Sequence, residues 1–107
     1  MVLGHKLLSL LLFKFSDPPG VPNIAGWAFA TIKVGQTLTL NCEWNKNKGP
    51  PTSYEWYRDD VKLVSTGPLG ETYTEEVKDK SASGLYKCKA INADGSAEAT
   101  RRITVKG

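Results

Sequence analysis

Two stretches of this chain alternate with a two-residue period, the first strictly polar against apolar, and each carries a cysteine on its inward phase. In residues 37–44, Leu38, Leu40, Cys42 and Trp44 fall on one side, opposite Thr37, Thr39, Asn41 and Glu43. In residues 84–91, Tyr86, Cys88 and Ala90 share one side, opposite Leu85, Lys87, Lys89 and Ile91. A two-residue repeat marks a β-strand with one face on a core and the other in water. No segment of residues 21–106 has the apolar period of an amphipathic helix, so almost no helix is expected. Cys42 and Cys88 are the only cysteines. Two well-separated cysteines in a β-rich chain suggest one disulfide and are too few for a zinc site.

The intervening sequence supplies more short strands and the turns between them. Gly35 and Gln36 turn the chain into the first alternating run, and residues 45–51 form a long polar loop ending in Gly49-Pro50-Pro51. Residues 53–58 are predicted as a strand with Tyr54 and Trp56 inward. Asp59 and Asp60 turn into a short edge strand over 61–64; Gly67 and Pro68 turn again before a strand over 71–77. Asn92-Ala93-Asp94-Gly95 is a predicted hairpin turn, in which Asp-Gly supplies positive φ angles. Residues 96–105 return as the last strand, with Ile103 and Val105 inward. Many short strands at regular intervals predict an all-β antiparallel sandwich or barrel.

The expected organisation is an apolar leader with a proline-glycine linker over residues 1–20 and one domain over 21–107, a length that suits a single core. Met1, Lys6 and the run Leu7-Leu8-Ser9-Leu10-Leu11-Leu12-Phe13 resemble a short signal peptide; a non-native leader or an apolar arm packed on the domain are the alternatives. The run is too short to span a bilayer, so no membrane insertion of the domain is expected.

Charge and side-chain inventory narrow the function classes. The net charge of +3 is mild, and bases alternate with acids, as in Arg58-Asp59-Asp60-Val61-Lys62, which argues against nucleic acid as a partner. The single histidine, His5, lies in the leader, so Ser81 and Ser83 have no histidine base. The adjacent acids Asp59-Asp60 and Glu75-Glu76 point to opposite sides of their strands and do not converge on a substrate. No enzyme activity, cofactor or metal is expected. None of Asn23, Asn41, Asn45, Asn47 and Asn92 begins a glycosylation sequon.

The order Cys42, Trp56, Tyr86, Cys88, all on inward phases, resembles the immunoglobulin superfamily. Residues Gly84-Leu85-Tyr86-Lys87-Cys88-Lys89-Ala90-Ile91-Asn92-Ala93-Asp94-Gly95 are similar to the G-x-Y-x-C-x-A-x-N-x-x-G pattern of its intermediate (I) set, and Trp56-Tyr57-Arg58-Asp59 to that set's third strand. The resemblance implies an immunoglobulin-like Greek-key β-sandwich whose two sheets are bridged by Cys42–Cys88. It also implies that Trp56 packs on the bridge and that the Tyr86 hydroxyl closes the turn before Gly84. The 46-residue cysteine separation leaves no room for both extra strands of a variable-type domain, which favours the I set or C2 type. One departure concerns the aspartate that the family usually has two residues before the glycine, paired with a basic residue across the base of the sandwich. Ala82 stands there, and Asp79 is expected to take over if the preceding loop carries an extra residue.

The function that follows is recognition of other proteins, another immunoglobulin domain or a second copy included, by a module of a cell-surface or secreted protein with a role in adhesion. The alternative is a structural I-set module of an intracellular, cytoplasmic muscle or cytoskeletal giant. The expected binding face carries Tyr57, Lys87, Lys89, Ile91 and Arg102, with Leu85, Glu55, Asp59 and Thr104 beside them, and Tyr57 and Arg102 as its centre. The plainer reading is a solvated sheet face on which Lys87 and Lys89 pair with Glu55 and Asp59.

Overall fold

The computed structural model describes residues 16–67 and 70–107, so the apolar leader expected before Ser16 lies outside the described residues. The strands are β1 (Asn23–Ala25), β2 (Thr31–Lys33), β3 (Thr37–Glu43), β4 (Ser53–Arg58), β5 (Val61–Thr66), β6 (Thr72–Glu76), β7 (Gly84–Asn92) and β8 (Gly95–Lys106), with one 3-10 turn at Lys80–Ala82. They form a three-stranded sheet, β1-β3-β6, and a five-stranded sheet, β2-β8-β7-β4-β5. Every pairing is antiparallel except β2 with β8. The chain is therefore the all-β sandwich that its alternation predicts.

The core is the sum of the inward phases. Leu38, Leu40 and Cys42 from β3 face Tyr54 and Trp56 from β4 and Tyr86, Cys88 and Ala90 from β7, and all are buried. Ile32, Val77, Ala82, Ile103 and Val105 complete the set. Cys42 and Cys88 form a disulfide between the two sheets, with Cα atoms 6.2 Å apart. Trp56 lies directly across from Cys88 in the β4–β7 register and is fully buried. Its ring centroid is 5.8 Å from that of Tyr73, which is 6.2 Å from that of Tyr86, so aromatic contacts run from the centre toward the base.

The base closes as the family pattern implies, with one change of partner. The buried Tyr86 hydroxyl donates to the Ala82 carbonyl at 2.5 Å. Asp79 does not take over the aspartate role. It caps the 3-10 turn, where its carboxylate accepts the Ser81 N–H at 2.8 Å and the Ser81 hydroxyl. Hydrogen bonds from Ser81 hold the Asp79 carboxyl below its ordinary range. The basic residue is Arg58, which donates to Glu75 Oε1 at 3.0 Å and to the Tyr86 hydroxyl at 3.3 Å. Glu75 supplies the carboxylate because β6 puts it on the half-buried side of its strand, within reach of Arg58.

Three further expectations are corrected. The alternation of β3 stops at Glu43: Trp44 lies beyond the last ladder position, half-buried and outside the core cluster. The positive φ angles belong to the Asp59-Asp60 turn (49° and 66°), whereas in the Asn92–Gly95 turn only Gly95 is positive. Two consecutive positive values make the β4–β5 connection a tight turn whose twist matches its strands. The edge strand β5 runs to Thr66, two residues past its expected end, and its register against β4 shifts between Trp56 and Tyr57.

Candidate functional site

The outer face of the five-stranded sheet is assembled by register. Tyr57 lies across from Lys87, Glu55 from Lys89, Lys89 from Glu98, and Leu85 from Arg102. These neighbours interlock. The Tyr57 hydroxyl donates to Glu55 Oε1 at 2.6 Å, and Lys62 Nζ donates to Glu55 Oε2 at 3.2 Å. The Tyr57 hydrogen bond, then Lys62, holds the Glu55 carboxyl below its ordinary range; the same bond pushes the Tyr57 phenol up. Lys87 Nζ donates to Asp60 Oδ1 at 3.1 Å, stands 4.0 Å from Glu98 Oε2 and lies 4.9 Å from the Tyr57 ring centroid.

The pairing differs from the expectation at both lysines. Lys87 takes Asp60 and Glu98 rather than Glu55 or Asp59, because the Asp59 carboxylate is already bound to the Leu85 N–H at 2.9 Å. A Cβ on Gly84 would stand 2.7 Å from that carboxylate, which is why the position is glycine. Ile91 is half-buried at the far end of β7, where its carbonyl accepts the Thr52 N–H at 2.7 Å. Lys89 and the exposed Arg102 form no ion pair or side-chain hydrogen bond among the described residues. The face thus divides into a satisfied network on Tyr57 and Lys87 and two free cations. Each exposed ion pair contributes about 0–1 kcal/mol, so the network orders the face more than it stabilises the fold.

The other region with distinctive chemistry is the loop end of the sandwich. The segment before β1, expected as part of a linker, runs along the loops here. The Asp17 N–H donates to Asp94 Oδ2 at 2.9 Å, and the Asp17 carbonyl accepts from Asn92 Nδ2 at 2.9 Å. The Gly49 N–H donates to the Pro18 carbonyl at 3.3 Å, and Pro19 is buried. Gly49 permits this approach, since a Cβ there would overlap the Asp17 carbonyl oxygen. Beside these contacts is a recess of about 340 Å³ lined, among the described residues, by Cys42, Glu43, Trp44, Lys46 and Glu71. Sequence reasoning missed this end because its contacts join loops far apart in the chain. The available signals were Pro18-Pro19-Gly20, Gly49 and a tryptophan at a strand terminus.

Among the described residues no three His, Cys, Asp or Glu side chains are grouped to hold a metal. No helix in them is long and apolar enough to cross a membrane.

Comparison with known proteins bears on the domain as a whole. The family profile described as "Immunoglobulin domain" matches residues 22–105. The chain is 29% identical over 82 residues to human vascular endothelial growth factor receptor 1, covering 72% of this chain and 6% of that protein. It is 30% identical over 94 residues to mouse hemicentin-2, covering 85% of this chain and 2% of that protein. It is 32% identical over 90 residues to the titin homolog of Caenorhabditis elegans, covering 73% of this chain and a share of that protein that rounds to 0%. Among solved structures, the N-terminal four Ig domains of Dscam1 isoform 4.4 superpose with a TM-score of 0.67 at 21% identity, covering 84% of this chain and 21% of that one. The second Ig-C2 domain of human Fc-receptor like A gives a TM-score of 0.65 at 22% identity, covering 82% and 99%. The chain thus spans a few per cent of the curated relatives' length.

Proposed function

The chain belongs to the immunoglobulin domain family, and from that premise we propose that it is a non-catalytic protein-recognition module of a cell-surface or secreted protein. The observation that carries the reading is the outer face of the five-stranded sheet, a flat surface on which Lys89 and Arg102 are free beside the ordered Tyr57–Lys87 network. A recognition surface gains from side chains held in place before binding, and from aromatic and arginine groups that a partner can cover. The partner is a protein, either another immunoglobulin domain or a second copy, with carboxylates positioned to meet Lys89 and Arg102. The disulfide supports an oxidising compartment, hence the cell surface or the outside of the cell.

Charge reversal tests the face. Lys89→Glu and Arg102→Glu should each weaken self-association or binding to a partner domain, read by sedimentation or surface plasmon resonance, with Tyr57→Ala weakening it further. Variants of all three that bind like the parent, while loop variants fail, would overturn the assignment.

The 32% identity to a titin homolog supports a second reading, a structural module of an intracellular giant protein. Intact mass of the protein from its native source separates the two. A mass lower by two hydrogen atoms than after reduction supports the extracellular reading; two free thiols support the intracellular one.

A further inference from the structure

We propose that the recess at the loop end is a subsite for an arginine side chain of a protein partner, stacked on Trp44 and paired with Glu43 and Glu71. The site stands apart from the sheet face, and its argument begins with a misplaced aromatic. Trp44 occupies the phase that would bury it, yet it is half-exposed past the end of β3 and forms a wall of the recess. The face of an indole is electron-rich and attracts cations. The structure already places one there: Lys46 Nζ lies 5.4 Å from the ring centroid.

The carboxylates strengthen the case. Glu43 is held by Asn23 Nδ2, 3.4 Å from its Oε1, a neutral donor that leaves the charge uncompensated. Glu71 is fixed by its backbone, whose carbonyl accepts the Cys42 N–H at 2.6 Å. Neither forms an ion pair among the described residues, and Lys46 pairs with neither of them. The lining therefore carries two negative charges against one positive, around an aromatic face. Two acids with no third ligand make a poor metal site, whereas a planar guanidinium can stack on indole and share its N–H groups with carboxylates. The volume of about 340 Å³ lies within the range of small-ligand pockets and can take one such side chain.

The loop carrying Trp44 and Lys46 is held in place beforehand. Asn45 accepts the Asn47 N–H at 2.9 Å and the Lys48 N–H at 3.0 Å, and Gly49 is tied to Pro18. Lys46, by contrast, has a side chain that forms no hydrogen bond or ion pair among the described residues and is held only by its contact with the indole. It acts as an internal placeholder that an arriving arginine displaces.

The test is a titration of the full chain with N-acetyl-arginine amide, followed by the indole N–H resonances of Trp27, Trp44 and Trp56 in NMR. The Trp44 signal, identified by its loss in Trp44→Phe, should shift saturably with a dissociation constant in the millimolar range, as expected for a single side chain. The citrulline analogue, neutral and of the same shape, should leave it in place. Glu43→Gln with Glu71→Gln should weaken binding about threefold or more, and Lys46→Met should tighten it by a similar factor. Lys89→Glu on the sheet face should change nothing, which separates this site from the one proposed above. Equal binding of citrulline, stronger binding of tetramethylammonium, or indifference to both the glutamate and the Lys46 variants would overturn the proposal.

Discussion

The two ends of the sandwich solve the same problem, closing a core of stacked sheets, in opposite ways. At the base, polar groups are matched inside the molecule. The Tyr86 hydroxyl donates to Ala82 and accepts from Arg58; Arg58 and the Tyr73 hydroxyl converge on Glu75 Oε1; Ser83 Oγ accepts the Val105 N–H at 2.7 Å. At the loop end, the hydrogen bonds are exposed ones among main-chain groups, the Asn92 carboxamide and the Asp94 carboxylate, and Glu43 and Glu71 form no ion pair among the described residues. The difference follows from burial. An unpaired polar group in the interior loses its hydration with nothing in return, so the base must be complete. At the surface, water satisfies whatever the protein does not, so groups can be left free for a partner.

The comparison can be broken or sharpened experimentally. Its largest effect lies between the ends, where Trp56→Ala should cost on the order of 3–5 kcal/mol in a denaturant melt. A loss below about 1 kcal/mol would mean that neither end is anchored to a central core. At the base, Tyr86→Phe should cost about 0.5–1.5 kcal/mol, because Ala82 keeps a buried carbonyl without its donor. Alkaline titration probes the same end by a different route. Burial pushes the phenols of Tyr54, Tyr73 and Tyr86 up, and the hydrogen bond to Glu55 does so for Tyr57. Raised values in the folded state mean that their contribution to stability is intact below pH 10 and is lost as the pH rises beyond it. Absorbance of tyrosinate should therefore show no phenol ionising at its ordinary value of 10.0 until the protein unfolds. At the loop end, Gly49→Ala forces the Asp17 carbonyl away. The cost should be only about 0.5–1 kcal/mol, since exposed hydrogen bonds are replaced by water. NMR shifts should be confined to the segment around Asp17, Asn92 and Asp94. A melt as damaged as that of Trp56→Ala would show that the loop end carries the fold after all.

The same contrast explains what could be read in advance. Cys42, Trp56, Tyr86 and Cys88 were legible because strand periodicity is a local rule, and each lies within the hydrogen-bonded ladder of its strand. Trp44 was not, because alternation in sequence continued one residue past the hydrogen-bonded ladder that gives it meaning. The partner of Arg58 was not legible either: choosing Glu75 over Asp79 depends on how the 3-10 turn absorbs the chain between β6 and β7. The outward direction of Tyr57, Lys87 and Lys89 followed from the pleat. Which acid each would meet depended on the Asp59-Asp60 turn, whose conformation swings Asp60 toward Lys87 and commits Asp59 to Leu85.

The register shift between Trp56 and Tyr57 has a consequence for behaviour in a crowded solution. Strand β5 lies at the margin of its sheet, and its far side is a row of peptide groups that another chain could use as a template. A shift of this kind twists and bends the ribbon locally, so that a straight incoming strand cannot stay in step with it. Lys62, exposed on the same strand and paired with Glu55, adds a charged side chain that an incoming strand would have to accommodate. The irregularity thus discourages fibrous stacking of a protein whose strands would otherwise invite it.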